Sequence, residues 1–114
     1  MKINLSYLRF LSLLSALEEE SEAVSLDAIE EQLLDHITLS FSQGREVLVG
    51  DLLQLSNLGS QATLHGRIKS LTSKGYVDLK MDLVDNRKKK VTPSKLAMRH
   101  YEKLSRLLSK CHIH

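Results

Sequence analysis

Apolar side chains in residues 1–44 recur every three or four positions, which is the spacing of one buried face of an α-helix. The pattern predicts a first helix that Asn4 caps and whose glutamate-rich end opposes the helix dipole, so that the chain frays near Ala23 to Ser25. A second helix is predicted to start at Ser25, with Asp27 in its first turn, and to stop near Gly44. The residues expected to be buried are Leu5, Leu8, Phe10, Leu11, Leu13, Leu14 and Leu17 in the first helix and Leu26, Ile29, Leu33, Ile37 and Phe41 in the second.

The next segment has the pattern of two helices joined by a turn. After a strand-like triplet at 47–49, Gly50 and Asp51 begin a short helix, and 56–59 form a turn. Ser60 is a strong N-cap for the following helix, which Gly75 ends. Its buried face is predicted at Leu64, Ile68 and Leu71, and its outward face at Ala62, Gly66, Lys69 and Ser73, flanked by Thr63, His65 and Ser70.

The remaining chain is predicted to form a hairpin and a last helix. Residues 76–83 alternate in polarity as a half-buried strand does, 85–86 supply turn chemistry, and 88–92 return until Pro93 ends the ladder. Ser94 is expected to cap the last helix. The predicted buried residues are Val77, Leu79, Met81 and Leu83 in the strand and Leu96, Ala97, Tyr101, Leu104, Leu108 and Cys111 in the helix.

This order of elements predicts a mainly α fold with a small β-hairpin wing, which is a winged helix-turn-helix. We assign residues 1–24 to an N-terminal helix and expected dimerisation element, 25–95 to a winged-helix DNA-binding domain, and 96–114 to a C-terminal helix that serves either the core or dimerisation. Within that domain, 60–74 form the expected recognition helix and 82–91 the basic wing.

Charge separates the two ends of the chain. The net charge of +2 conceals −6 over residues 1–44 and +8 over 45–114, which indicates that the second half faces a polyanion. Aromatic residues make up 4% of the chain and Trp is absent, so there is little material to stack on single-stranded bases. Double-stranded DNA is therefore the expected partner.

Other classes of protein fit the sequence poorly. It has no phosphate-binding glycine loop, nucleophile motif or paired carboxylates, so we expect no enzyme and no cofactor. The lone Cys111 excludes an intramolecular disulfide, and with His112 and His114 it falls short of four zinc ligands, so no metal site is expected. The N-terminus lacks a long apolar run, which predicts a cytoplasmic protein without membrane contact.

Four groups of residues carry a resemblance to a known family. They are Asp51 with Leu52 in the supporting helix, Ser60 and Thr63 at the start of the next helix, Leu71 and Gly75 at its end, and Asp85, Asn86 and Arg87 in the wing. In order and spacing they resemble the winged helix-turn-helix of the MarR-like transcriptional regulators, over roughly residues 45–100 and within the run LVGDLLQLSNLGSQATLHGRIKSLTSKGYVDLKMDLVDNRKKKVTPSKLA. The resemblance implies a recognition helix in the major groove and a wing arginine in the minor groove.

The residues expected to contact DNA follow from this comparison and from side-chain chemistry. They are Ser60, Gln61, Thr63, His65, Gly66, Lys69, Arg87, Lys88 and Lys89. Gln61 suits adenine, Thr63 a thymine methyl or a phosphate, and Lys69 guanine. Phosphate attraction is expected from Lys74, Lys80 and the lysines at 88–90. The alternative to DNA contact for His65 is a side chain that is simply solvated. For Gly66 the alternative is that glycine is merely tolerated or that it accommodates another helix.

The chain departs from the family in length. Family members are usually longer and enclose a ligand pocket between their dimerisation and DNA-binding parts. This chain has little length for such a pocket, so whether it binds a small-molecule effector is left open. The leucine-rich first and last helices are expected to form a two-fold homodimer, and the alternative is that they fold onto their own domain. The rival function is a protein-interaction adaptor whose working surface is the apolar face of residues 5–17.

Overall fold

A computed structural model describes residues 5–20, 25–85 and 87–111 of the chain. These form five helices and one antiparallel hairpin. The elements are α1 (Ser6–Glu20), α2 (Ala28–Ser42), α3 (Val49–Leu53), α4 (Gln61–Ser73), β1 (Val77–Met81), β2 (Lys89–Pro93) and α5 (Lys95–Lys110). The mainly α fold with a small hairpin wing is confirmed.

The chain separates into two compact units, Val24–Ala97 and a second made of Met1–Ala23 with Met98–His114. In the first unit α2 packs on α4 and β2, and α3 packs on the same two elements. Its apolar core is formed by Leu33, Leu34, Ile37, Val47, Leu52, Leu64, Ile68, Leu71, Tyr76, Val77, Val91 and Ala97.

Helix α2 begins later than the sequence predicted. Asp27 is its N-cap: the Asp27 carboxylate accepts a hydrogen bond from the Glu30 amide at 2.8 Å, and Glu30 Oε1 accepts one from the Asp27 amide at 3.0 Å. This reciprocal capping box satisfies two amides that have no partner within the helix, so the helix starts at Ala28 rather than at Ser25. The prediction that Phe41 is buried was also wrong, because Ser40 takes the buried position in the last turn.

Helices α3 and α4 form the predicted helix-turn-helix. Asp51 Oδ2 accepts a hydrogen bond from the Leu48 amide at 2.9 Å and so fixes the start of α3. Ser60 Oγ accepts from the Thr63 amide at 3.1 Å, which confirms the predicted cap of α4. Gly75 has φ +83°, a left-handed conformation that ends the helix and favours glycine. The predicted buried face of α4 is confirmed at Leu64, Ile68 and Leu71.

Strands β1 and β2 pair antiparallel, with Val77 opposite Pro93 and Met81 opposite Lys89. Leu48 forms an isolated antiparallel β-bridge with Lys90 of β2. The expected half-buried face of β1 is wrong beyond Val77, because the apolar residues that follow it are exposed. The hairpin extends past the core, so alternation along the strand continues after burial has ended.

The second unit contains α1 and most of α5. On α1 the partly buried positions are Phe10, Leu13, Leu14 and Leu17, whereas Leu5, Leu8 and Leu11, which were expected to be buried, are exposed together with Tyr7. Ser94 Oγ accepts a hydrogen bond from the Ala97 amide at 3.2 Å, which confirms the cap predicted for α5. On α5, the prediction that Leu96 and Leu108 are buried was wrong, because both are exposed, while Cys111 just beyond the helix is buried as predicted.

Some sequence predictions fall outside the described residues. These are the Asn4 cap, residues 23–24 of the fraying predicted near Ala23 to Ser25, the Asn86 turn position, and His112 and His114 beside Cys111. No helix among the described residues has the length and apolar character needed to cross a bilayer.

Candidate nucleic-acid interface

The outward face of α4 is exposed, as its sequence pattern predicted. Gln61, Ala62, His65, Gly66 and Lys69 all lie in solvent. Within the described chain, the side chains of Gln61, His65 and Lys69 form no hydrogen bond or ion pair, so their donors and acceptors stay available to a partner. The helix therefore presents an amide, an imidazole and an ammonium group on one surface.

Ser60 and Thr63 are already engaged with each other. Besides accepting from the Thr63 amide, Ser60 Oγ donates to Thr63 Oγ1 at 3.0 Å. Both hydroxyls thus serve the N-terminus of α4, and the Thr63 side chain is only half-exposed. Of these two predicted DNA contacts, Thr63 keeps its methyl group for an apolar contact, and Ser60 has mainly a capping role.

Gly66 lies in open space. A Cβ atom built at this position meets no atom within 4 Å, so packing against another part of the described chain is not the reason for glycine here. Inside a helix, glycine costs about 1 kcal/mol relative to alanine. The position therefore offers a flat surface to a molecule outside the chain.

The wing carries the second group of predicted contacts. The Arg87 side chain is 92% exposed, and its Nε lies 3.2 Å from Asp85 Oδ1, within its own loop. Lys88 and Lys89 are exposed and form no ion pair with any residue that the structure describes. An exposed pair such as Arg87 with Asp85 contributes little to stability, so all three cations can turn towards a phosphate backbone.

Two other lysines expected to attract phosphate are used by the fold instead. Lys74 Nζ lies 2.9 Å from each carboxylate oxygen of Glu30 and donates to the Ser25 carbonyl at 3.0 Å. Lys90 Nζ lies 2.8 Å from Glu46 Oε1, and the hydrogen bond to Glu46 raises the pKa of Lys90. The phosphate role of Lys74 stays a prediction, and the structure shows this ammonium engaged by a buried carboxylate instead.

Sequence reasoning missed the cluster that fixes α4 in place. We call it the α2–α4 clamp: Asp27 and Glu30 at the start of α2, with Arg67, Ser70 and Lys74 on one side of α4. Arg67 Nε lies 2.6 Å from Asp27 Oδ2, and Ser70 Oγ donates to Glu30 Oε2 at 2.8 Å. The local signal was an acid three residues after Asp27, which marks a capping box but does not reveal the partners on α4.

Glu30 is the charged centre of the clamp, with a side chain only 3% exposed. Burial raises the pKa of Glu30, but hydrogen bonds from the Asp27 amide, Lys74 and Ser70 together outweigh burial and leave the pKa below its ordinary value. The carboxylate is therefore ionised at neutral pH and holds both helices through its two oxygens.

Solved structures with the same arrangement of elements identify the fold. The S. aureus MepR–DNA complex matches with a TM-score of 0.67 at 14% sequence identity, over 93% of this chain and 80% of that chain. MarR matches with a TM-score of 0.61 at 13% identity, over 96% and 78%. Overoxidized AbfR bound to DNA matches with a TM-score of 0.56 at 16% identity, over 96% and 69%. The fold is that of MarR.

The comparison of structures finds matches that the comparisons of sequence do not. No protein-family model matches the chain, and no curated protein sequence matches it. At this level of identity the match concerns the arrangement of the helices and the wing, so the chemistry of this chain has to be argued from its own side chains. Among the described residues, no three His, Cys, Asp or Glu side chains come together as a metal site would require.

Replacing Glu30 tests the clamp of this MarR-type fold. Glu30→Gln leaves the Lys74 ammonium without its counter-charge, and we expect the free energy of unfolding at pH 7 to fall by roughly 3 kcal/mol. Urea denaturation of Glu30→Gln, Lys74→Met and the double variant should give a double variant less destabilised than the sum of the two single variants. Glu31→Gln, an exposed neighbour on α2, is the control and should change stability by less than about 1 kcal/mol. Equal effects at positions 30 and 31 would contradict the clamp.

The lowered pKa of Glu30 predicts an acid dependence with a definite sign. Its stabilisation is complete above the ordinary value of 4.5 and is lost as pH falls through the lower folded-state pKa. We expect wild-type stability to decrease below pH 4.5, and Glu30→Gln to lose less stability over the same range, in urea denaturation at stepped pH. Parallel pH profiles for the two proteins would exclude Glu30 as a source of the acid sensitivity.

Proposed function

We propose that this protein is a sequence-specific, duplex DNA-binding transcriptional regulator that works as a homodimer in the cytoplasm and has no catalytic activity. The observation that carries the proposal is the pairing of two exposed surfaces within one compact unit. The outward face of α4 offers unpaired polar groups, and the wing offers Arg87, Lys88 and Lys89. MepR and AbfR, two of the proteins with this fold, have been solved bound to DNA.

The two surfaces suit different parts of a duplex. A helix fits the major groove, where Gln61 pairs with adenine and Lys69 reaches guanine, each contact contributing about 1–3 kcal/mol of discrimination. The wing cations neutralise phosphates without reading sequence, while Arg87 suits a narrow and electronegative minor groove. Specificity would thus come from α4 and most of the affinity from charge.

Salt dependence tests the charge contribution. Binding to a random duplex should weaken steeply as salt rises. Arg87→Ala/Lys89→Ala should bind more weakly and flatten the logarithmic salt slope by about 2 per protomer, or about 4 for the dimer, since two cations next to the phosphate backbone are removed from each protomer. Fluorescence anisotropy at several salt concentrations measures both quantities.

On the preferred duplex, Gln61→Ala and Lys69→Ala should relax sequence preference.

A matched control distinguishes the effect of the wing cations from the effect of removing any two exposed positive charges. Arg99→Ala/Lys103→Ala removes two exposed cations from α5 and should leave the slope close to that of the wild type. Equal slopes for all three proteins would refute the wing as a DNA contact. Failure of the wild type to bind any duplex at low salt would favour the adaptor function instead.

Gly66→Ala separates stability from binding. Since a Cβ at position 66 meets nothing in the chain, the substitution should stabilise the protein by about 1 kcal/mol through better helix propensity. The added methyl group would stand where DNA approaches α4, so we expect weaker binding from a more stable protein. Thermal unfolding and anisotropy on the same sample test this. Unchanged affinity with raised stability would show that glycine is merely tolerated.

The exposed apolar face of α1 supports the homodimer. Leu5, Tyr7, Leu8 and Leu11 are exposed in the single chain. Such a contiguous apolar surface is unusual on a monomer, and a two-fold contact would cover it while presenting two copies of α4 to successive half-sites of duplex DNA.

Leu8→Glu tests this interface. Because the side chain is already exposed in the protomer, a charge there should disrupt association and leave the protomer folded. We expect light scattering to give twice the protomer mass for the wild type and the protomer mass for the variant. Leu39→Glu, at a similarly exposed leucine on α2, should remain dimeric. A wild type that is monomeric at micromolar concentration would contradict the dimer.

A further inference from the structure

The apex of the wing carries two aliphatic side chains in full contact with solvent. Leu83 is 99% exposed and Val84 is 96% exposed. Single exposed leucines are common on proteins, but adjacent, fully exposed aliphatic residues at the tip of a projecting hairpin form an apolar point. Neither residue takes part in the phosphate and base contacts described above.

Leu83 continues an apolar row that starts in the core, and Val84 is the next residue in the chain. Along β1 the exposed fraction rises from 2% at Val77 through Leu79 to 55% at Met81, and Leu83 follows in the chain. Leu79 lies opposite the buried Val91, so the row begins on the core-facing side of the hairpin. The wing therefore extends its apolar side beyond the core.

Hydrogen bonds within the loop fix the shape of the apex. Asp82 Oδ1 accepts from the Val84 amide at 2.8 Å, and the Asp82 amide donates to the Lys88 carbonyl at 2.9 Å. The Lys88 amide donates to the Asp85 carbonyl at 3.0 Å, which closes the turn. The hydrogen bond from the Val84 amide also lowers the pKa of Asp82, so this carboxylate stays charged. Leu83 and Val84 thus lie in a segment whose backbone is held by the hydrogen bonds of Asp82.

The charge around the apex indicates what it contacts. Arg87, Lys88 and Lys89 follow within five residues of Val84 and are all exposed. Lysine is depleted at protein–protein interfaces, which makes a protein partner a poor match for this surface. A polyanion with an apolar interior is a good match, and duplex DNA combines a phosphate backbone with stacked bases.

We propose that Leu83 and Val84 form an apolar wedge that enters the minor groove, partly separates one base step and kinks the duplex. The inference rests on the proposed DNA-binding function. The wing cations hold the backbone on either side while the aliphatic side chains replace part of the stacking that they disrupt. Aliphatic wedges of this kind bend DNA by roughly 20–90° towards the major groove.

The experiment measures bending and affinity together. A duplex selected by the wild-type protein from a random pool, labelled at both ends for energy transfer, reports the bend on binding. We expect Leu83→Ser/Val84→Ser to abolish most of the bend and to weaken binding about tenfold, with an unchanged salt slope because no charge is removed. Leu83→Met/Val84→Ile keeps two aliphatic groups and should retain the bend.

Leu39→Ser, at an exposed leucine on α2, controls for loss of apolar surface and should bind and bend as the wild type does. A serine variant that bends DNA as the wild type does would overturn the wedge and leave the proposed function in place. A wild type that binds no duplex would overturn both. A serine variant that loses self-association, with its DNA bend unchanged, would assign the apex to a protein contact and also overturn the wedge.

Discussion

The carboxylate of Glu30 makes the interactions on which the arrangement of the unit Val24–Ala97 depends. One oxygen caps α2 through the Asp27 amide, the other accepts from Ser70, and both contact Lys74 at the end of α4. A buried charge is costly unless it is fully paired, so this group tolerates few alternative positions of α4. The same side chain that starts one helix therefore fixes the face that the other presents to solvent.

The clamp also divides the basic residues of the chain into two groups. Lys74 and Arg67 face acids of α2, and Lys90 faces Glu46, so these charges are neutralised inside the unit. Among the described residues, Lys69, Lys88 and Lys89 form no ion pair, and Arg87 pairs with Asp85 of its own loop. A net charge of +8 over residues 45–114 overstates the positive surface that a partner meets, because paired cations contribute little field at a distance.

Burial ends within the hairpin. The core of the larger unit covers Val77 and Val91 at the base of the wing, and nothing among the described residues packs over Leu83 or Val84 at its tip. The tip of the hairpin therefore lies beyond the core of this unit. At the tip of the hairpin, apolar and basic side chains consequently lie next to each other in solvent. Protein cores avoid this combination, but surfaces that bind nucleic acid use it.

The sequence by itself determined the elements whose causes are local. Ser60 and Ser94 as caps, Gly75 as a helix end, and the spacing of Leu64, Ile68 and Leu71 each depend on neighbours within one or two turns. The outward face of α4 followed from the same periodicity. Only the tertiary structure decided which cations are free, where β1 leaves the core and which side of α1 is covered. Lys74 meets Glu30 across 44 positions, and a pairing at that distance depends on how helices pack, which periodicity does not encode.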